Sequence, residues 1–257
     1  MSDLGEADLE MRSYGATHVG MRRQMNEDAF LRDDDLGLWV VADGMGGHAA
    51  GEVASQEAID AIYAMVKHGK GSLHLNALSP GDLLRSASRL LEGAVQSATY
   101  MVFGLAQMDV GRVGMGTTIS SMFRCGRSMI VGQVGDSRIY RVRGQEVLQL
   151  TEDHTLVAWQ LKRGLITEEE AKVSRQRNVI TRAVGNRDYV QVDIVVTEAE
   201  LGDQYLLCSD GLHGYLNVSE IAEIASMGGQ NAVERFIELA NARGGKDNIT
   251  AILIETS

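Results

Sequence analysis

Leu38-Trp39-Val40-Val41-Ala42-Asp43-Gly44-Met45-Gly46-Gly47-His48 is the stretch on which the reading of this chain turns. Five apolar residues in a row read as a buried strand. The run delivers an acid and then a glycine to the point where the backbone becomes irregular. The same device recurs. Tyr205-Leu206-Leu207-Cys208 leads into Ser209-Asp210-Gly211, and Met129-Ile130-Val131-Gly132-Gln133-Val134 leads into Gly135-Asp136-Ser137. Toward the C-terminal end, Gly244-Gly245-Lys246-Asp247-Asn248 precedes the strand-like Ile249-Thr250-Ala251-Ile252-Leu253-Ile254. Any one Asp-Gly after a strand is ordinary turn chemistry. Several acids at strand ends, together with Asn26-Glu27-Asp28 upstream, point instead to carboxylates converging on hard cations, because Mg²⁺ and Mn²⁺ prefer oxygen ligands.

Size and charge limit the function classes. At 257 residues, 44% hydrophobic and 23% charged, the chain has the composition of a globular protein with a substantial core. A net charge of -11 argues against a nucleic-acid partner, which demands a basic face. Cys125 and Cys208 form no Cys-x-x-Cys pair, so neither zinc nor a disulfide framework is expected. The acidic N-terminal residues carry no apolar segment of signal-peptide type, and no run is long enough to span a bilayer. A cytoplasmic protein without membrane partners is the expectation.

Along the chain, residues 13–17 read as a first strand, and 51–67 carry a helical stripe of Ala54, Ala58, Ile62 and Met65. Residues 67–76, with their glycines and histidines, read as a connector. Ser79-Pro80-Gly81-Asp82 opens a second helix, with Ser79 as N-cap and Asp82 at its positive end. Its stripe runs Leu84, Ala87, Leu91, Ala94, Ala98, Met101, Leu105. From 116 to 150 the pattern is a meander of hairpins. Thr167-Glu168-Glu169-Glu170 reads as a capping box, Asn217 with Glu220 opens another helix, and Asn231 starts the last one. Strands and helices in blocks indicate an α+β fold.

Eight motifs in order carry a resemblance to a known family. They are Arg23-Gln24-Met25-Asn26-Glu27-Asp28-Ala29, Val41-Ala42-Asp43-Gly44-Met45-Gly46-Gly47, Met115-Gly116-Thr117-Thr118, Val134-Gly135-Asp136-Ser137-Arg138, Asp153-His154-Thr155, Asn178-Val179-Ile180-Thr181-Arg182-Ala183-Val184-Gly185, Ser209-Asp210-Gly211 and Asp247-Asn248-Ile249-Thr250. Together they resemble the metal-dependent protein serine/threonine phosphatases of the PP2C (PPM) type, in particular the compact bacterial members. The resemblance implies a four-layer α-β-β-α sandwich of two antiparallel sheets, occupying 1–257 as one phosphatase domain with a flap at about 155–177. It also implies two Mn²⁺ or Mg²⁺ ions and a third, weaker ion. Asp43 would bridge the two ions, and Gly44 would offer its backbone carbonyl. Asp210 and Asp247 would complete the second ion, Glu27 and Asp28 would hold waters of the first, and Asp136 is the position for the third ion.

The resemblance further implies hydrolysis of phosphoserine and phosphothreonine on proteins by direct attack of a water bridging the two ions, with no phosphoenzyme. Phosphoprotein substrates and an opposing bacterial Ser/Thr kinase would be the partners. Arg23 is placed as the phosphate-binding arginine, its guanidinium fork matching two phosphate oxygens. Charge alone leaves Arg22 beside it as an alternative. Where some members have a histidine directly after Asp-Gly, this chain has Met45. His48, three residues on, is either the general acid to the leaving group or a loop-ordering residue. His154 reads as a loop-fixing residue, and His18 and His213 give no signal. Val173-Ser174-Arg175-Gln176-Arg177 replaces a His-Pro pair of many bacterial relatives, which leaves flap conformation and substrate preference open. The rival reading is a non-catalytic phosphoprotein-binding regulator on the same fold, which should have lost a metal acid.

Overall fold

The apolar run at 38–42 is a strand with both faces covered. Leu38, Val40 and Ala42 point into one apolar layer and Trp39 and Val41 into another. That is why the run shows no polar alternation. The computed structural model describes residues 9–46, 50–76 and 79–257. In chain order these form β1 (Met11–His18), β2 (Asp28–Asp33), β3 (Leu38–Met45), α1 (Ala50–Asn76), α2 (Pro80–Met108), β4 (Gly116–Thr117), β5 (Ile119–Cys125), β6 (Ser128–Val134), β7 (Arg138–Arg143) and β8 (Glu146–Gln149). Then follow α3 (Leu156–Lys162), α4 (Glu168–Val173), β9 (Asp193–Glu198), β10 (Gln204–Cys208), α5 (Asp210–His213), α6 (Val218–Ala225), α7 (Gly229–Ala242) and β11 (Ile249–Thr256).

All strand pairs are antiparallel. One sheet has the order β1-β11-β10-β7-β8, and the other runs β2-β3-β5-β6-β9 with β4 paired to β3. Three apolar layers separate four layers of structure. Trp39, Met122, Val131, Tyr205, Leu207 and Ile252 pack between the sheets. Ile62, Leu91, Val95 and Ile130 join α1 and α2 to the second sheet, and Phe236, Val233, Ile221 and Leu253 join α6 and α7 to the first. Each fully buried aliphatic side chain of this kind contributes about 1.5–3 kcal/mol. Buried Trp39 donates its indole N–H to Asp34 Oδ1 at 2.8 Å, so the largest core side chain leaves no polar atom unpaired.

Several sequence expectations need correction. Residues 67–76 are no connector, because α1 continues through them. A Cβ on Gly69 would run into the Leu90 side chain, so glycine here permits close α1–α2 contact that outweighs its poor helix propensity. The block from 116 to 150 is two hairpins on opposite sheets rather than one meander. β5 and β6 pair in the second sheet, β7 and β8 in the first, and the chain crosses between them at Gly135-Asp136-Ser137. The last helix begins at Gly229, two residues ahead of Asn231. On α2 the Ser79 cap forms as expected, its side chain accepting from the Asp82 N–H. The buried stripe keeps the expected Ala87, Leu91, Ala94 and Ala98 and adds Val95, Val102 and Ala106, while Met101 is 44% exposed.

Candidate metal centre

The acids picked out by sequence sit at one shared end of the two sheets. Asp43 lies near the end of β3, which runs on to Met45, and its registered partner across the strand pair is Asp28, first residue of β2. Asp136 occupies the crossing from β6 to β7, Asp210 opens α5 directly after β10, and Asp247 lies two residues before β11. At β6 and β10 the apolar run stops where glycine and acid follow it.

Backbone and hydroxyl contacts hold these positions. The Asp43 N–H donates to Thr118 Oγ1 at 3.0 Å, the Thr118 N–H donates to the Asp43 carbonyl at 2.9 Å, and Thr117 Oγ1 donates to that carbonyl at 2.9 Å. Thr118 Oγ1 also lies 2.8 Å from Ser137 Oγ, which ties the Asp43 turn to the Asp136 turn. Asp28 Oδ2 accepts from Ser209 Oγ at 2.8 Å and Thr250 Oγ1 at 2.6 Å. The Asn248 side chain accepts the Glu27 N–H at 2.8 Å and donates to the carbonyls of Val19 and Met25, fixing the loop that carries Arg23 and Glu27. His213 Nε2 lies 2.9 Å from the Asp136 carbonyl, and burial pushes its pKa down to about 4. A neutral imidazole donating that hydrogen bond is the consistent assignment.

These contacts were absent from the sequence reading. Ser209, Thr250, Thr118 and Asn248 lay inside quoted motifs without a role, and His213 carried no signal. The available clue is a hydroxyl or amide next to Asp136, Asp210 and Asp247, at the edge of an otherwise apolar strand.

Electrostatics describe a site assembled for positive charge. Burial first, then Asp28, Asp210, Asp136 and Asp247, raise the Asp43 pKa well above the carboxylate range. Burial chiefly lifts Asp28 to about 7, against the lowering effect of its two hydroxyl donors. Asp136 also rises to about 7, through burial and the charges of Asp210 and Asp153. Asp210 is raised by burial and by Asp247, and Glu27 by burial. Like charges at this density are costly unless protons or cations offset them.

The donor set fits hard divalent ions. Every side-chain donor is a carboxylate, and Asp28 Oδ1 is buried without a hydrogen-bond partner, an acceptor left over once the hydroxyls are counted. Gly44 fits a close-approach role: a Cβ there would strike the carbonyl oxygens of Gly51 and Glu27. Among the described residues no three acid, histidine or cysteine side chains already close on one point as a cage. The acids ring the cleft instead, which suits ions that keep much of their water shell.

Arg23 also reaches this centre. Its Nη2 lies 2.8 Å from Asp247 Oδ2 and its Nη1 4.0 Å from Glu27 Oε2, with the side chain about half exposed. His48 lies outside the described residues. His154 orders a loop as expected: its Nδ1 accepts the Gly135 N–H at 3.1 Å and its Nε2 faces Asp193 Oδ2 at 3.1 Å. Beside the acids lies a cleft of about 630 Å³, lined by Asp136, Asp210 and Asp247 together with Thr155, Lys172 and Arg177.

The same architecture recurs in known proteins. The protein phosphatase 2C family model matches residues 14–253. The chain belongs to the protein phosphatase 2C family. It is 36% identical to the serine/threonine protein phosphatase PstP of Mycobacterium tuberculosis over 98% of its own length, and spans 46% of that relative, about half. It is 34% identical to the serine/threonine phosphatase stp of Listeria monocytogenes, covering 95% of this chain and 96% of that protein. A crystal structure of the catalytic domain of a serine/threonine protein phosphatase PstP in complex with two manganese ions superposes with a TM-score of 0.81 at 34% identity, covering 96% of this chain and 99% of the other. The two face-to-face antiparallel sheets with outer helices are thus the protein phosphatase 2C fold. Among the described residues, no helix is long and apolar enough to cross a membrane.

Proposed function

We propose that this protein is a metal-dependent phosphatase that removes phosphate from phosphoserine and phosphothreonine on proteins, opposing a Ser/Thr kinase in the bacterial cytoplasm. The observation that carries the reading is the convergence of Asp28, Asp43, Asp136, Asp210 and Asp247 at one sheet end, with Asp28 Oδ1 buried and unpaired. A non-catalytic regulator has no need of a complete acid set. Relatives with the name of phosphatase, and one with two manganese ions, support the same reading.

Asp43, the Gly44 carbonyl, Asp210 and Asp247 would hold two Mn²⁺ or Mg²⁺ ions, with Glu27 and Asp28 orienting water around the first and Asp136 serving a third, weaker one. Such ions supply an acidified water as nucleophile and neutralise charge on the phosphoryl group. The chain's own residues do the rest. Asn248 and Ser55 fix the Glu27 loop, the latter through a 2.6 Å hydrogen bond to the Glu27 carbonyl. Arg23, about half exposed at the cleft edge, presents its guanidinium to phosphate oxygens. Residues 1–257 act as one phosphatase unit, with 155–177 bordering the cleft. The direct test is phosphate release from a phosphothreonine peptide. We expect release with Mn²⁺ and its loss with excess chelator, and release that persists in chelator would overturn the assignment.

Arg23→Ala separates phosphate binding from ion binding. A charge-assisted hydrogen bond is worth about 1.5–3 kcal/mol, so KM for a phosphate ester should rise by about tenfold or more. Losing the cation beside Asp247 makes the acid cluster more negative, so the Mn²⁺ midpoint should change by less than about threefold and toward lower concentration. A shifted Mn²⁺ midpoint with unchanged KM would make Arg23 structural and Arg22 the next candidate.

A further inference from the structure

The cleft beside the acids carries a second set of charges. Asp136, Asp210 and Asp247 belong to the candidate ion site, and Asp153 is consumed by Arg138, whose Nε and Nη2 reach its two carboxylate oxygens at 2.9 and 2.7 Å. His213 is engaged by the Asp136 carbonyl, 2.9 Å from its Nε2. The remaining charged residues of the cleft are Lys172, Arg177 and Lys246, all cations and all exposed. Among the described residues none of their side chains has an ion-pair partner within 4.0 Å.

This is an unusual concentration for a chain with 35 acids against 24 lysines and arginines. Nearby acids do not cancel it. Glu168, Glu169 and Glu170 occupy the first turn of α4, where Glu170 Oε2 accepts the Thr167 N–H at 2.8 Å, and none of the three lines the cleft. Lys172 sits in the last turn of α4, on the cleft side. Lys246 comes from the opposite rim, its backbone N–H fixed to the Tyr215 hydroxyl at 3.1 Å. Arg175, two residues before Arg177, does not face the cleft.

We propose that Lys172, Arg177 and Lys246 form a recognition subsite for anionic groups flanking the phosphoresidue, either carboxylates or a second phosphate. The inference rests on the phosphatase reading and deepens it by naming the class of phosphosite preferred. Unpaired cations on two rims of one cleft attract an extended anionic segment, and they repel basic ones. Selectivity arises because Lys172 and Arg177 lie on the 155–177 segment, outside the acid cluster that serves the ions. A small aryl phosphate fills the ion site without extending between the rims.

The test uses three phosphothreonine peptides that differ only in flanks: two glutamates, one further phosphothreonine, or two glutamines. Affinity is read from non-hydrolysable phosphonate versions by fluorescence anisotropy, and turnover from phosphate release, with para-nitrophenyl phosphate as the control. Exposed ion pairs contribute modestly one at a time, so the expected preference for anionic over glutamine flanks is about fivefold to tenfold at 0.1 M salt. It should fade toward unity at 1 M salt. The Lys172→Glu/Arg177→Glu double variant should lose or reverse this preference, with para-nitrophenyl phosphate hydrolysis within about twofold of wild type. The Gln/Gln version should give an intermediate result, and thermal melting checks that both fold. A preference for glutamate flanks alone, or for a second phosphate alone, identifies the natural source. Equal affinity for all three peptides in the wild type, or a preference that survives charge reversal, overturns the subsite. Failure of the phosphatase reading is separate, because it removes para-nitrophenyl phosphate turnover while the binding preference is still measured.

Discussion

Asp43→Asn is expected to lower turnover at saturating Mn²⁺ by about a thousandfold or more and to leave the fold intact. The fold should survive because Thr117 and Thr118 grip the Asp43 backbone rather than its carboxylate. Activity should not, because on the proposed reading Asp43 would serve both ions and an amide brings no charge to them. In chelator the variant should melt above wild type. Burial, Asp28, Asp210, Asp136 and Asp247 all oppose ionisation of Asp43, and the amide removes that conflict. The sign with pH follows from linkage. A carboxyl whose pKa is raised by folding binds its proton more tightly in the native state, so its contribution is fully present below the unfolded value near 4 and is lost as pH rises toward the folded one. Wild type and variant should therefore melt closest together at about pH 4, and the variant's advantage should grow toward neutrality. Added Mn²⁺ should reverse the order, since only wild type gains fully from binding. A variant that retains a tenth of the wild-type rate would contradict the two-ion assignment.

What sequence could tell about this site depends on the kind of signal each residue leaves. Asp43, Asp210 and Asp247 stand out because each lies at the edge of an apolar run that forms a strand. Buried strands with helices over one face and a second sheet over the other have no polar side to show, so an acid there is conspicuous. Thr118, Ser209 and Thr250 leave no such mark, because a hydroxyl in a strand reads as ordinary β-propensity. Their work, orienting Asp43 and Asp28, appears only when distant segments meet: Ser209 and Asp28 are 181 residues apart. The crossing at Gly135-Asp136-Ser137 was hidden for a related reason. Hairpin patterning tells which strands are neighbours in sequence but not which sheet receives them. Local propensity failed once more at Gly69, where a glycine that weakens an isolated helix allows α1 to approach Leu90 of α2.

Gly44→Ala should also abolish activity at limiting Mn²⁺, but by the opposite effect on the metal-free protein. Gly44 has no left-handed backbone angle, so its need for glycine is one of space rather than conformation. An added methyl would meet the carbonyl oxygens of Gly51, in the first turn of α1, and of Glu27. Both are backbone atoms, and the Gly44 N–H already donates to that Glu27 carbonyl at 3.1 Å. No side-chain rotation relieves such a contact, so β3, the Glu27 loop and the start of α1 must move apart. Overpacking of this kind costs about 1–3 kcal/mol, which for a chain of this size lowers Tm by about 2–4 °C for each kcal/mol. Moving the Gly44 carbonyl and Glu27 together displaces groups proposed to hold an ion and its water, so the half-saturating Mn²⁺ concentration should rise by about tenfold or more. Asp43→Asn and Gly44→Ala, neighbours in sequence, should thus shift Tm in chelator in opposite directions. The first removes a charge that only ions can accommodate, and the second wedges open the backbone that holds the acids together. If Gly44→Ala kept the wild-type Tm and Mn²⁺ midpoint, the close approach of these three segments would not be what defines the centre.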